Sequence, residues 1–146
     1  MTTRSFITEI PLCISSREER ALLVRLDAAR QVYNACLGEC LKRLRRMRES
    51  KAYQRARKLE KGNIRRDAFK EIRRRFAFSE YDLHAYAKQF NHSWLGEHLD
   101  SQAIQKLATR AFQAVEQHTY RKRGKPRFKG KNQFDSVEGK SNKTGI

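Results

Sequence analysis

Seven cationic residues and no acidic one lie between Arg121 and Lys131, with Phe128 inside the run and Phe134 just beyond it. Such a set can neutralise phosphate and offers flat ring faces beside it for bases. If the chain is extended from Pro126 onward, Arg127, Lys129 and Lys131 share one face and Phe128 takes the other. Lys125 joins the cationic row at the turn. By the same parity Phe134 falls on the Phe128 face, where packing is its first reading and base stacking its second.

A second block, residues 42–75, carries sixteen basic residues against four acidic ones, with arginine favoured over lysine. Arginine suits bidentate phosphate contacts. The bland reading is a solvated helical face. Helices stabilised by their own surfaces intersperse the signs, however, and these cations repel one another. Arg43, Arg46, Arg65, Arg66, Arg73 and Arg74 are the candidate backbone contacts in this block.

Reactive chemistry finds less support. Cys36 and Cys40 stand four apart on an expected helix and could aim two thiolates at one metal. A structural zinc site needs four ligands, and neither Cys13 nor the four histidines (His84, His92, His98, His118) has a matching spacing. Both cysteines fall on an apolar stripe, which reads as core packing. Glu18 and Glu19 serve better as a helix cap than as an acid–base pair. No phosphate-binding loop, dinucleotide fingerprint, nucleophile elbow or metalloprotease helix is present. Neither a cofactor, a resident metal nor an enzymatic activity is expected.

Over the whole chain the charge is lopsided. The 146 residues carry a formal net charge of +17, yet residues 1–41 are neutral and residues 76–100 are acidic. Two blocks hold all of the excess, the footprint of two contact surfaces for a polyanion. At 38% hydrophobic the chain has enough apolar residues for a small core. No apolar run approaches the roughly 20 residues of a membrane span, and the first residues lack a signal-peptide core. A cytoplasmic protein with reduced cysteines is the expectation.

Hydrophobic periodicity supplies the elements that would carry these residues. Residues 4–14 alternate, with Phe6, Thr8, Ile10, Leu12 and Ile14 on one side, which predicts an edge strand. Ser16 to Glu19 reads as a capping box. From there Leu22, Leu26, Ala29, Tyr33, Cys36, Cys40, Leu44 and Met47 mark a long helix. A polar stretch over 48–62 follows, ended by Gly62. Asn63 is expected to cap a second helix with Ile64, Ala68, Phe69, Ile72 and Phe76 inward. Ser79 with Asp82 caps a third. Trp94 and Leu95 suggest a packed turn, and Asp100 or Ser101 opens a last helix that Gly124 and Pro126 stop. The tail from Gly139 to Ile146 has no packing signal.

Three stretches resemble one family. Leu107-Ala108-Thr109-Arg110-Ala111-Phe112, then Gly124-Lys125-Pro126-Arg127-Phe128-Lys129-Gly130-Lys131-Asn132-Gln133-Phe134-Asp135-Ser136, are similar to the N-terminal half of TnpB (OrfB) proteins. These are transposon-encoded, RNA-guided DNA nucleases related to type V CRISPR effectors. Tyr33-Asn34-Ala35-Cys36-Leu37 resembles a family helix as well.

The resemblance implies a mainly α chain: a helical bundle inserted between edge strands of an incomplete oligonucleotide-binding-like β-barrel, the wedge. Residues 1–15 would be the first wedge strand, 16–122 a helical recognition lobe, and 123–146 a truncated return to the barrel. The implied partners are guide RNA and target DNA, read by shape and backbone while base pairing reads sequence. Cleavage would belong to a later RuvC-type part beyond Ile146, near a zinc-binding segment. The chain would then be a fragment, a truncated frame, or one half of a split protein. The alternative is a self-contained basic RNA- or DNA-binding protein, ribosome-associated or repressor-like.

Overall fold

A computed structural model describes residues 4–139. The element order is five α-helices with two short 3-10 segments: α1 Ser16–Glu49, α2 Lys51–Arg57, α3 Asn63–Arg75, α4 Glu80–Ala87, the 3-10 turns Lys88–His92 and Trp94–Glu97, and α5 Ser101–Thr119.

The long α1 forms because its apolar residues recur every three or four positions. Ala29, Tyr33, Cys36, Cys40, Leu44 and Met47 are all buried, as the spacing predicts. They pack chiefly on α5, whose Ala103, Ile104, Leu107, Ala108, Ala111, Phe112 and Val115 complete one apolar cluster with Leu83 and Ala87 of α4. Phe78 belongs to the same cluster, 1% exposed, against Phe112 at 5.3 Å. No polar or charged residue is buried among the described residues.

Caps set the boundaries. The box at the start of α1 sits one residue earlier than expected. Ser15 Oγ accepts from the Glu18 amide, and the Glu18 carboxylate accepts from the Ser15 amide at 2.7 Å. Ser15, Ser16, Glu18 and Glu19 write the pattern twice in the sequence, and the structure uses the earlier register. These bonds, the backbone one foremost, hold Glu18 below the usual glutamate range. Ser50 closes α1 and caps α2, accepting from Tyr53 while donating to the Met47 carbonyl. Gly62, not Asn63, occupies the cap of α3. Ser79 and Asp100 cap α4 and α5.

The expected barrel edge strands are absent, and this corrects the fold. The described residues contain no β-strand, so no oligonucleotide-binding-like barrel is present. Residues 4–14 are extended but pair with nothing, and Phe6, Ile7, Ile10 and Leu12 are 74–95% exposed. A strand exists only through a ladder with a neighbour, and no backbone hydrogen bond reaches this segment. Leu22 and Ile64, expected inward, are exposed. Trp94 is also exposed, stacked edge-on against His98, while Leu95 is buried. The tail expectation beyond Gly139 and the first three residues lie outside the described residues.

Candidate nucleic-acid interface

One face of α1 organises the site. Arg30, Asn34, Gly38, Lys42, Arg45 and Arg48 recur at steps of four and three, so they line one side of the helix. The chain after α5 returns along this face. Asn34 Nδ2 donates to the Lys129 carbonyl and Asn34 Oδ1 accepts from the Lys129 amide, both at 2.8 Å. Arg30 adds a donor to the same carbonyl at 3.3 Å. A side-chain amide thus does for Lys129 what a neighbouring strand would do. One turn further along, the Phe128 ring rests over Gly38, close enough that a Cβ there would touch it at 3.6 Å. Lys125 then reaches the part of the face around Leu41 and Arg45. The segment therefore runs antiparallel to α1.

A second clamp holds its far end. Phe134 is buried and stacks on Tyr33 at 5.5 Å. The Arg110 guanidinium covers the Phe134 ring at 4.6 Å and donates to the Ser136 carbonyl. Burial raises the Tyr33 hydroxyl, with Arg110 opposing. The Arg30 hydrogen bond, chief among several causes that include the Lys131 charge, holds the Asp27 carboxyl below its ordinary range. The turn at Asn132, with φ 63°, breaks the strand parity; Phe134 turns into the core while Phe128 stays half exposed.

Two clefts lie beside this part of α1 and share Leu44 and Arg48 in their walls, the first of them walled in part by the returning segment. The first, of about 710 Å³, is lined by Gly38, Leu41, Lys42, Arg45, Arg48, Glu49, His118, Lys125 and Phe128. The second, of about 460 Å³, is lined by Met47, Tyr53, Arg66, Phe69, Lys70, Arg73 and Tyr120. Among the described residues Glu49 is the one carboxylate in either wall. Lys42, Arg45, Arg48, Arg66, Lys70 and Lys125 make no ion pair among the described residues.

The sequence-predicted residues divide. Lys125 and Arg66 line the clefts, and Arg73 borders the second while leaning toward Glu116 at 3.7 Å. Arg127 and Lys131 are exposed on the returning segment, and the backbone of Lys129 is pinned. Arg46 is exposed outside both walls. Arg65 lies over Phe69 and donates to the Leu59 carbonyl.

Arg43 is structural. It pairs with Glu39 at 3.0 Å, donates to the Ala77 carbonyl at 2.9 Å and lies over Tyr86. That carbonyl belongs to a left-handed residue, φ 50°, closing the end of α3. Arg74 is held by both oxygens of Glu71, a pairing that lowers the glutamate and raises the guanidinium.

Sequence reasoning missed Lys42, Arg45, Arg48, Lys70 and Tyr120. The signal for the first three was their step of three in phase with Gly38. The thiols of Cys36 and Cys40 are pushed up to about 12 by burial. They are core residues, and no group of three or more His, Cys, Asp or Glu among the described residues is placed to hold a metal. No helix there is long and apolar enough to cross a membrane. No family model matches the chain, and neither a curated protein nor a solved structure matches it.

Proposed function

We propose that this chain binds nucleic acid by its phosphate backbone, along the C-terminal half of α1 and the segment that returns over it. The observation that carries the proposal is the pair of adjoining clefts, with six unpaired cations and one carboxylate among the described residues of their walls. Converging like charges repel, and a polyanion laid along them relieves that repulsion and releases its counterions. In its narrower form the proposal follows the resemblance to TnpB proteins. The bound strands are then a guide RNA and its target DNA, and cutting belongs to a separate nuclease part. Binding without cutting is assigned to this chain; metal-dependent cleavage by the purified chain would overturn that assignment.

The test is a salt series. Anisotropy of a labelled RNA strand and of an RNA–DNA hybrid gives affinity against salt concentration. If the six cations each neutralise one phosphate of a single strand, log affinity falls against log salt with a slope of about −4. A flat response would reject backbone binding.

A further inference from the structure

Two rings stand open in the walls that carry these cations. Phe128 and Tyr120 are each 57% exposed, whereas Phe78, Phe112 and Phe134 are buried. Both open rings are held from behind. Phe128 lies over Gly38, the one position on that face with no side chain to cover it, and its neighbour Lys129 is fixed by Asn34. Tyr120 caps α5 in a turn closed by two backbone bonds, Arg121 to His118 and Lys122 to Gln117. The Arg73 guanidinium sits 6.0 Å from its centroid.

A fixed aromatic ring with an open face invites an apolar partner, but this neighbourhood forbids a purely apolar one. Lys42, Arg45, Arg48 and Lys125 share the wall with Phe128, and Arg66, Lys70 and Arg73 share it with Tyr120. Covering those cations without counter-charge is costly. The occupant must bring negative charge and flat apolar faces together. In a duplex each base face is covered by the next base, leaving only edges and phosphates to contact. Only an unpaired base presents a face.

Resting on the nucleic-acid reading above, we infer that the clefts take single-stranded nucleic acid, with unpaired bases stacked on Phe128 and Tyr120 and the backbone tracked by Lys42, Arg45, Arg48 and Lys125. The stacking faces make no use of a 2′-hydroxyl, so RNA and DNA single strands both bind.

The test uses the full chain and three labelled probes: oligouridylate, oligothymidylate of the same length, and a duplex of the same length. Phe128→Leu keeps the contact over Gly38 but removes the π-face; Phe128→Trp restores it. Leu is expected to weaken both single strands by roughly tenfold and to leave the duplex unchanged, and Trp to recover the loss. Tyr120→Leu behaves likewise, and Tyr120→Phe does not. Circular dichroism checks that each variant keeps its helices. Equal loss on all three probes, or no loss on any, would overturn the stacking inference. In the second case a triple Lys42→Gln, Arg45→Gln, Arg48→Gln variant that still loses affinity leaves backbone binding standing. Failure of all three probes to bind the native chain would remove both readings.

Discussion

Asn34 uses both ends of its amide on one peptide unit, and that economy makes its role testable. Asn34→Ala removes two partly buried hydrogen bonds at Lys129, worth roughly 1–3 kcal/mol together. Amide exchange at Lys129 should accelerate by about tenfold or more, with the α1–α5 core unaffected. Unchanged exchange would mean that Arg30 and the Arg110 clamp suffice to hold the segment. Asn34→Asp keeps the acceptor but sets a carboxylate oxygen against the Lys129 carbonyl, so it should loosen the segment at least as much as Asn34→Ala. The two buried thiols make a separate prediction about pH. Burial lifts Cys36 and Cys40 from an ordinary value of 9.0 to about 12. A raised folded value means the protonated form is the one the fold favours. Their stabilising share is therefore complete below pH 9 and lost as pH climbs toward 12. At neutral pH a thiol reagent should label Cys13, which is exposed, and reach the other two only on unfolding. Rapid labelling of all three in the folded chain would contradict this packing.

At the scale of elements, the helices were legible and the extended segments were not. The 3.6-residue period of α1 and α5 is a local property written into ten or more successive positions, and caps such as Ser79 of α4 and Asp100 of α5 mark where helices start. Alternation over residues 4–14 says only that a strand could form. Whether it does depends on a partner far away in sequence, and none meets it among the described residues. The segment after Pro126 is extended for a different cause than a sheet: Asn34 and Arg110 hold it by side chains. The site was half legible for a related reason. Composition located the 42–75 block, but choosing Arg43 over Arg45 is a choice between opposite faces of one helix, and only packing decides it. Two glycines show how the helices meet their surroundings. Gly38 lies mid-helix, and an added Cβ would make ordinary contact with Phe128. Gly38→Ala should therefore raise stability by about 1 kcal/mol through helix propensity. Gly96 instead abuts the Asn91 carbonyl, which has no room for a Cβ. Gly96→Ala should cost about 1–3 kcal/mol. Thermal melts of the pair should move in opposite directions, and a shift of the same sign would refute one of these two contacts.

For the molecule as a whole, the question is where its excess charge resides. Some arginines are committed to the fold: Arg43 bridges α1 to the end of α3, and Arg74 is locked to Glu71. Others converge without partners in the walls of the two clefts. The two sets should separate under substitution. Replacing Lys42, Arg45 and Arg48 by Gln removes mutually repelling charges, so the melting temperature should hold or rise. The salt slope on a single strand should shrink by about 2, since each lost phosphate contact removes about 0.7 of a unit. Arg43→Gln should do the reverse. It breaks a charge-assisted bond to Ala77 and a partly buried pair with Glu39, costing about 1–3 kcal/mol in stability, while the slope stays that of the native chain. Arg74→Gln, on the exposed side of α3, should move the melt little and leave the slope alone. If Arg43→Gln changes the slope as much per charge removed as the triple variant does, positive charge is acting as a diffuse cloud over the surface. The position of each cation on α1 then carries no meaning, and the clefts lose their claim to be the interface.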